Sequence, residues 1–237
     1  MMKFVTAVSM TLASLLVMAD TELSNATSAE QVIGSAYDVK TKALLYTEHH
    51  QAKTSHNYGI VYKDPKGQVF ATKTIDFSES SITPSFQQTN DRLGEKISVQ
   101  PLEVGFEVTY QQDRKSPQQQ KQLGANSAMV IDAGFDGVIK QRWQALTLGE
   151  AVDVDFLAPT ELRTFRFRFK QTDCLEDTAL GATCFSLSPR SWLVKLAVSP
   201  IIVAYNSEQQ LIRFTGRSNI CDESGKYHTA DIHYQYL

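Results

Sequence analysis

Tyr46, Glu48 and His50 are the residues of this sequence whose types and spacing are best suited to chemistry. They alternate along a stretch that has the pattern of a strand, so their side chains share one face while His49 points to the other. A carboxylate two residues from an imidazole can support proton transfer or supply two ligands of a metal site. The same pattern also fits a hydrogen-bonded structural pair, which is the commoner outcome of so short a motif.

A metal site needs more ligands than this pair supplies. Asp231 and His233 share a face of a later strand, and nothing in their spacing requires them to meet Glu48. The further candidate ligands are His56, His228, Asp231 and His233. A metal-dependent hydrolase that uses Glu48 and His50 is therefore the alternative function that the sequence allows.

Motifs for other kinds of catalysis are missing from the sequence. Ser218 lies in a predicted turn, Gly216-Arg217-Ser218-Asn219, which lacks the second glycine of a nucleophile elbow and precedes a strand instead of a helix. Cys221 has no histidine close to it in sequence, and neither a phosphate-binding loop nor a dinucleotide fingerprint is present. The sequence predicts no cofactor and gives no motif in support of an enzyme.

Arginines and a tryptophan are the candidates for ligand binding. Arg166, Arg168 and Arg217, with Asn219 beside them, would form a wall for an anion such as a lipid headgroup or an acidic glycan. The alternative is a solvated strand face beside a turn that satisfies its own backbone. Trp143 would line the mouth of a ligand site at the open edge of a curled sheet, or else belong to the core.

The stretch from Leu162 to Lys170 is the clearest strand. Phe165, Phe167 and Phe169 alternate with basic residues, which predicts a buried face of rings and a basic face toward solvent or a partner. Further strand patterns cover 32–39, 43–50, 58–62, 69–77, 86–90, 96–100, 102–110, 127–131, 151–156, 184–187, 192–198, 201–205, 211–215 and 226–236.

One helix and one long polar stretch interrupt the strands. Apolar residues from Phe135 to Leu146 recur at helical spacing, with Asp132 as the expected N-cap and Gly149 beyond the end, so a helix is predicted over about 132–147. Residues 111–126 are rich in Gln and charge, which predicts an exposed loop. The fold class that follows is mainly β, a curled antiparallel sheet or incomplete β-barrel with one packed helix, in a single domain over 30–237.

The N-terminus predicts export. Lys3 precedes an apolar run from Phe4 to Met18, which is typical of a signal peptide over 1–19, and a second possible cleavage site follows Ala29. No later stretch is long and apolar enough to span a bilayer, so we expect a soluble periplasmic or secreted protein.

Cysteine usage agrees with export, because disulfides persist in oxidising compartments. Cys174 and Cys184 flank a short polar loop and are the expected pair, with Cys221 as a buried thiol. Pairing of Cys221 with Cys184 is the alternative. The formal charge of -3 gives no general attraction to nucleic acid.

Three segments together resemble a group of uncharacterised exported proteins of Gram-negative bacteria. They are Asp132-Ala133-Gly134-Phe135-Asp136, Phe156-Leu157-Ala158-Pro159 and Gly216-Arg217-Ser218-Asn219-Ile220. The strand-rich plan with an inner helix is also similar to periplasmic carriers of lipoproteins and lipids. The expected function is accordingly that of an exported protein which binds an apolar or lipid-like ligand, or an envelope protein partner, on its concave sheet face.

Overall fold

The computed structural model describes residues 31–191 and 199–237, and most of these form one sheet. In its first half the strands are β1 (Gln31–Asp38), β2 (Leu44–Ala52), β3 (Asn57–Lys63), β4 (Val69–Asp76), β5 (Ser85–Asn90), β6 (Glu95–Pro101), β7 (Phe106–Gln111) and β8 (Gln119–Leu123). The second half contributes β9 (Met129–Ile131), β10 (Val152–Ala158), β11 (Arg163–Thr172), β12 (Thr183–Pro189), β13 (Ile201–Tyr205), β14 (Leu211–Cys221) and β15 (Tyr227–Tyr236).

Strand order shows two meanders joined in the middle. The order runs from β8 down to β1, then from β15 down to β9, and β1 pairs with β15 so that Val32 lies opposite Tyr236. Neighbouring strands are antiparallel, except that β9 and β10 are parallel. Consecutive strands of a meander need only short turns, such as the one at Asp64-Pro65-Lys66-Gly67 between β3 and β4.

The sheet is curled and unclosed. Only residues 124–128 connect β8 at one edge with β9 at the other. Even fully extended, this linker allows at most about 20 Å between the end of β8 and the start of β9. Met129 and Ile131 of β9 belong to the same buried cluster as Val99 and Val108 from the first half. The chain therefore folds its second edge over the inner face of the first half, and the mainly β fold with a curled sheet is confirmed.

Alternation along the strands separates core from solvent. In β7, Phe106, Val108 and Tyr110 are buried on the inner face. In β11, Phe169 is fully buried while Lys170 beside it is exposed. Phe167 is partly buried against the same cluster as Phe169, whereas Phe165 stacks with Arg163 and belongs to neither buried cluster. The prediction that the rings of this strand face the core is therefore confirmed for Phe167 and Phe169 only.

The predicted helix is present as two short helices. They are α1 (Gly134–Gln141) and α2 (Trp143–Thr147), and Arg142 between them has a non-helical backbone. Asp132 is not the N-cap, because Ala133 holds that position without a side-chain hydrogen bond, and Asp132 pairs with Lys73 instead. No helix among the described residues combines the length and the apolar character that crossing a bilayer requires.

Two polar segments differ from their predictions. Residues 111–126 are largely exposed as expected, but β8 forms within them, since a strand at a sheet edge can have solvent on both faces and needs no apolar period. The predicted turn at Gly216–Asn219 is instead part of β14, whose register with β15 shifts between Arg217 and Cys221.

The Cys174–Cys184 disulfide is confirmed, and Cys221 is a free, buried thiol. The bridge closes the loop between β11 and β12. The predicted signal peptide, both of its cleavage sites and the predicted strand at 192–198 lie outside the described residues.

Candidate functional site

Glu48 and His50 meet on the inner face of the sheet. His50 Nε2 lies 3.0 Å from Glu48 Oε2, and the Tyr234 hydroxyl donates to the same oxygen over 3.2 Å. The Glu48 residue is only 5% exposed, whereas the His50 side chain keeps about a quarter of its surface in solvent. The buried carboxylate is thus linked to solvent by its hydrogen bond to one partly exposed imidazole. This arrangement fits a proton relay or a structural pair whose hydrogen bonds are made within the protein.

Register across three central strands positions this pair. Glu48 of β2 lies opposite Gly34 of β1, and Gly34 lies opposite Tyr234 of β15. A Cβ atom at Gly34 would be 2.7 Å from Tyr234 Cε1 and 3.2 Å from Glu48 Oε2. Glycine is therefore required for the tyrosine to cross β1 and reach the carboxylate.

Tyrosines surround the carboxylate. Burial raises the pKa of Tyr46, Tyr62 and Tyr234 well above the usual value, and the negative charge of Glu48 raises each further. Their rings pack closely, with 6.0 Å between the centroids of Tyr46 and Tyr62. These phenols stay protonated at neutral pH, so Tyr234 donates a hydrogen bond to Glu48 and the other two pack in the core, and none of them acts as a base.

Of the other candidate ligands, His228 packs against the ring of Tyr46 on the inner face, with 6.0 Å between the ring centroids, and the rest lie elsewhere. Asp231 and His233 are on the outer face, where Arg213 makes a bidentate contact with Asp231 at 2.7 and 2.8 Å. His56 bonds to its neighbour Ser55 in the turn before β3. Within residues 31–191 and 199–237, no group of three or more His, Cys, Asp and Glu side chains is arranged to hold a metal ion.

Arg166 and Arg168 pair with aspartates of the neighbouring strand. Arg168 contacts Asp153 through two hydrogen bonds of 2.6 and 2.9 Å, and Arg166 Nε lies 3.6 Å from Asp155 Oδ1. The hydrogen bond from Arg168 lowers the pKa of Asp153. This basic row is therefore balanced by an acidic row on β10, a relationship that only the strand register reveals.

Arg217 and Asn219 are not beside those arginines. Two strands, β12 and β13, separate β14 from β11, and the exposed Arg217 stacks on the ring of Tyr227 at 4.7 Å. The backbone carbonyl of Asn219 accepts a hydrogen bond from the side chain of Gln88. These residues do not form one continuous wall with Arg166 and Arg168.

Trp143 packs inside the curl. Its ring meets Phe185 and Tyr205 edge-on at 5.2 and 5.6 Å, so α2 covers the inner face of β12 and β13. Of the two alternatives for this residue, the geometry favours a core position.

Four buried polar residues on the inner face were not identified from the sequence. Lys73, Gln88, Asn90 and Glu95 are each at most 2% exposed and come from β4, β5 and β6. Each occupies a position that alternation assigns to the core, and a polar residue at such a position is the signal that would have found them. The inner face is thus markedly polar and contacts the chain's own β14 and β15.

The two best-formed cavities of the described residues are small. One of about 230 Å³ is lined by Asp76, Ser78, Glu79, Ser80, Thr83, Ser85, Pro101 and Phe106. The other, of about 180 Å³, shares Asp76 and Ser85 with it. Both are below the roughly 300 to 1,000 Å³ of typical small-molecule sites, and most of the residues that line them are of polar type.

The two edges of the sheet differ in how they are covered. At the β9 edge, Ile131 donates its backbone N–H to the carbonyl of Ile82 over 3.1 Å. At the β8 edge, Gln119 to Gln122 are exposed, and no backbone hydrogen bond from elsewhere in the described chain reaches these residues.

Comparison with family models, with curated proteins and with solved structures gives no match for this chain.

Proposed function

We propose that this chain is an exported protein that binds an extended segment of a cell-envelope protein, which adds as a strand to the free edge of β8. The observation that carries the proposal is the contrast between the edges, because the described residues cover the β9 edge with the chain's own backbone and leave the β8 edge open. An open strand edge presents a row of N–H and C=O groups that pairs with extended chains.

The side chains of β8 favour a partner of particular charge. Lys121 is exposed at the middle of the strand, between Gln120 and Gln122. An Asp or Glu opposite Lys121 would gain a cross-strand ion pair. A second copy of this chain that paired antiparallel about Lys121 would place two ammonium groups opposite each other, so a foreign acidic segment is favoured over a homodimer.

Apolar groups lie beside the end of this edge. Leu102 and Val104 are exposed at the tip of the β6–β7 hairpin, and Phe106, which follows them, lies opposite Leu123 of β8. An apolar residue of the bound segment could contact this tip, giving backbone pairing a hydrophobic anchor.

A lipid-like ligand on the concave face has less support. That face is occupied by two buried clusters and by α1 and α2. Lys73, Glu95 and Glu48 lie buried within it, and polar or ionisable groups are poor surroundings for an acyl chain. We therefore place the envelope partner at the β8 edge in preference to the concave face.

Export is part of the proposal. Support comes from the basic start and apolar run at residues 3–18 and from the Cys174–Cys184 bridge, which suits an oxidising compartment such as the periplasm.

Strand-forming peptides with a central Asp test the proposal, alongside matched peptides with a central Lys. Fluorescence anisotropy should detect binding of the acidic peptides to the wild type, weaker binding by Lys121→Glu and unchanged binding by the control Lys115→Glu. Hydrogen exchange should slow in β7 and β8 alone. Absence of binding, or protection confined to other strands, would contradict the proposal.

A metal-dependent hydrolase that uses Glu48 and His50 is the second candidate, although these side chains form a 3.0 Å hydrogen bond and no third ligand joins them among the described residues. Elemental analysis of the purified protein together with a His50→Ala variant tests it. Stoichiometric metal that His50→Ala loses would support the hydrolase, and a metal-free wild type would remove its basis.

A further inference from the structure

The end of the β14–β15 hairpin lies against the inner face of β5 and β6 through polar contacts. Where the register of β14 shifts, the Gln88 amide donates to the carbonyl of Asn219 over 2.8 Å. Two residues further along both strands, the Asn90 amide donates to the carbonyl of Cys221 over 3.0 Å. Two side chains of β5 thus bind backbone carbonyls of β14, at and just beyond the shift in its register with β15.

Glu95 provides the third contact of this attachment. The residue is 2% exposed, and its Oε1 accepts a hydrogen bond from the Tyr227 hydroxyl. Its Oε2 lies 3.7 Å from the Cys221 sulfur, whose thiol is the donor. One carboxyl group therefore joins both strands of the hairpin to β6.

No cation balances this carboxyl group among the described residues. Asn90 faces it from β5, Tyr110 from β7, Cys221 from β14 and Tyr227 from β15, and none of these carries a positive charge. Burial raises the pKa of Glu95 and outweighs the hydrogen bonds from Tyr227 and Cys221, which lower it. Burial and then the nearby Glu95 charge raise the pKa of Cys221 to about 12. The cluster is thus best accommodated when all of its members are neutral.

We propose that Glu95 is a pH-sensitive latch, which holds the β14–β15 hairpin end on β5 and β6 while its carboxyl group is protonated and loosens it on ionisation. This goes beyond the proposed function and does not depend on it. In the opened state Glu95 is hydrated and has an ordinary pKa, so the closed state binds the proton more tightly. Closure is therefore strongest below the ordinary pKa and weakens as pH rises through the raised one.

Cys221 is a built-in reporter of opening, because its sulfur touches Glu95 and is buried in the closed state. The rate of Cys221 alkylation under native conditions, divided by the rate in denaturant at the same pH, gives the equilibrium constant for opening. Between pH 5 and 8 that ratio should rise about tenfold for each unit that separates the two pKa values.

Glu95→Gln should abolish this pH dependence, and the exposed Glu103→Gln should keep it. Equal pH profiles in wild type and Glu95→Gln, or a flat wild-type profile, would overturn the latch. Should Glu95→Gln fail to fold, carboxyl-carbon NMR of the wild type decides. A Glu95 signal that titrates above the usual glutamate range supports the latch, and an ordinary titration refutes it.

Discussion

The ammonium group of Lys73 lies 2.5 Å from Oδ1 of Asp132, which joins β4 to the residue that follows β9. The Lys73 side chain is 1% exposed, and its nitrogen also lies 4.6 Å from the centre of the Phe86 ring. Asp132 has a φ of 46°, a conformation that non-glycine residues seldom adopt. The ion pair thus fixes the side chain of a residue whose backbone lies in the left-handed region between β9 and α1.

Asp132→Ala should destabilise the protein strongly, because it leaves a buried ammonium group without its counter-charge. A loss of about 3 kcal/mol or more in the free energy of unfolding is expected from urea denaturation. Lys140→Ala removes a half-exposed pair with Asp136 and is the control, with an expected loss below about 0.5 kcal/mol. Similar losses for both variants would show that Lys73 does not depend on Asp132.

Gly34→Ala should disturb the centre of the sheet. The new methyl group would clash with Tyr234 and press on Glu48, at an expected cost of about 1 to 3 kcal/mol. Gly124→Ala is the matched control, because a Cβ atom there meets nothing within 4 Å. Thermal unfolding of the two variants checks this, and an unchanged Tm for Gly34→Ala would contradict the predicted close packing.

Asp231 should contribute to acid sensitivity. Burial alone would raise its pKa, but hydrogen bonds from Arg213 and Thr215 outweigh that effect and lower the pKa to about 2. Because the folded value is below the unfolded one, the stabilisation is present above about pH 4 and is lost as pH falls toward 2. From the shift of 3.8 to about 2, the loss is about 2 kcal/mol. Unfolding free energies of wild type across that range provide the measurement.

Asp231→Asn should remove most of that acid-dependent loss, and the exposed Glu208→Gln should leave it in place. An Asp231→Asn variant whose stability still falls as steeply as that of wild type would assign the acid sensitivity to other groups.

Reduction of the Cys174–Cys184 bridge should lower stability by about 2 to 3 kcal/mol, as expected for a loop of sequence separation 10. Arg213 also holds this loop, through the carbonyl of Glu176 and the hydroxyl of Thr178, so the loop should stay attached after reduction. Denaturation with and without reductant tests the magnitude. A Cys174→Ser, Cys184→Ala double variant should show no response to reductant.

β8 should be the strand whose backbone amides are least protected from hydrogen exchange. It has one neighbouring strand and its first four residues are exposed, whereas β1 lies between β2 and β15. Amide exchange should therefore be fast in 119–123 and slow in 32–38, and limited proteolysis should cut first within 112–126. Exchange in β8 as slow as in β1 would mean that its edge is covered in solution.

Much of the architecture follows from local alternation. The rings of β11, the hairpins of the first half and the helical stretch at 134–147 each follow a period that one face of the element imposes. Where both faces meet solvent, as in β8, the period carries no information and the strand was predicted as a loop. Asp132 shows a different limit, since its partner Lys73 is distant in sequence.

The candidate site was predictable only in part. Glu48 and His50 are two residues apart, so their contact follows from the strand itself. Tyr234 and Gly34 join them through the pairing of β1 with β15, which no local pattern indicates. The aspartates that pair with Arg166 and Arg168 were missed for the same reason, because register between strands is a property of the assembled sheet.

The pairing of Val32 with Tyr236 sets the order in which the molecule can be completed. β1 gains its second neighbour only from β15, the last strand of the described residues, so the middle of the sheet cannot be completed until β15 has been synthesised.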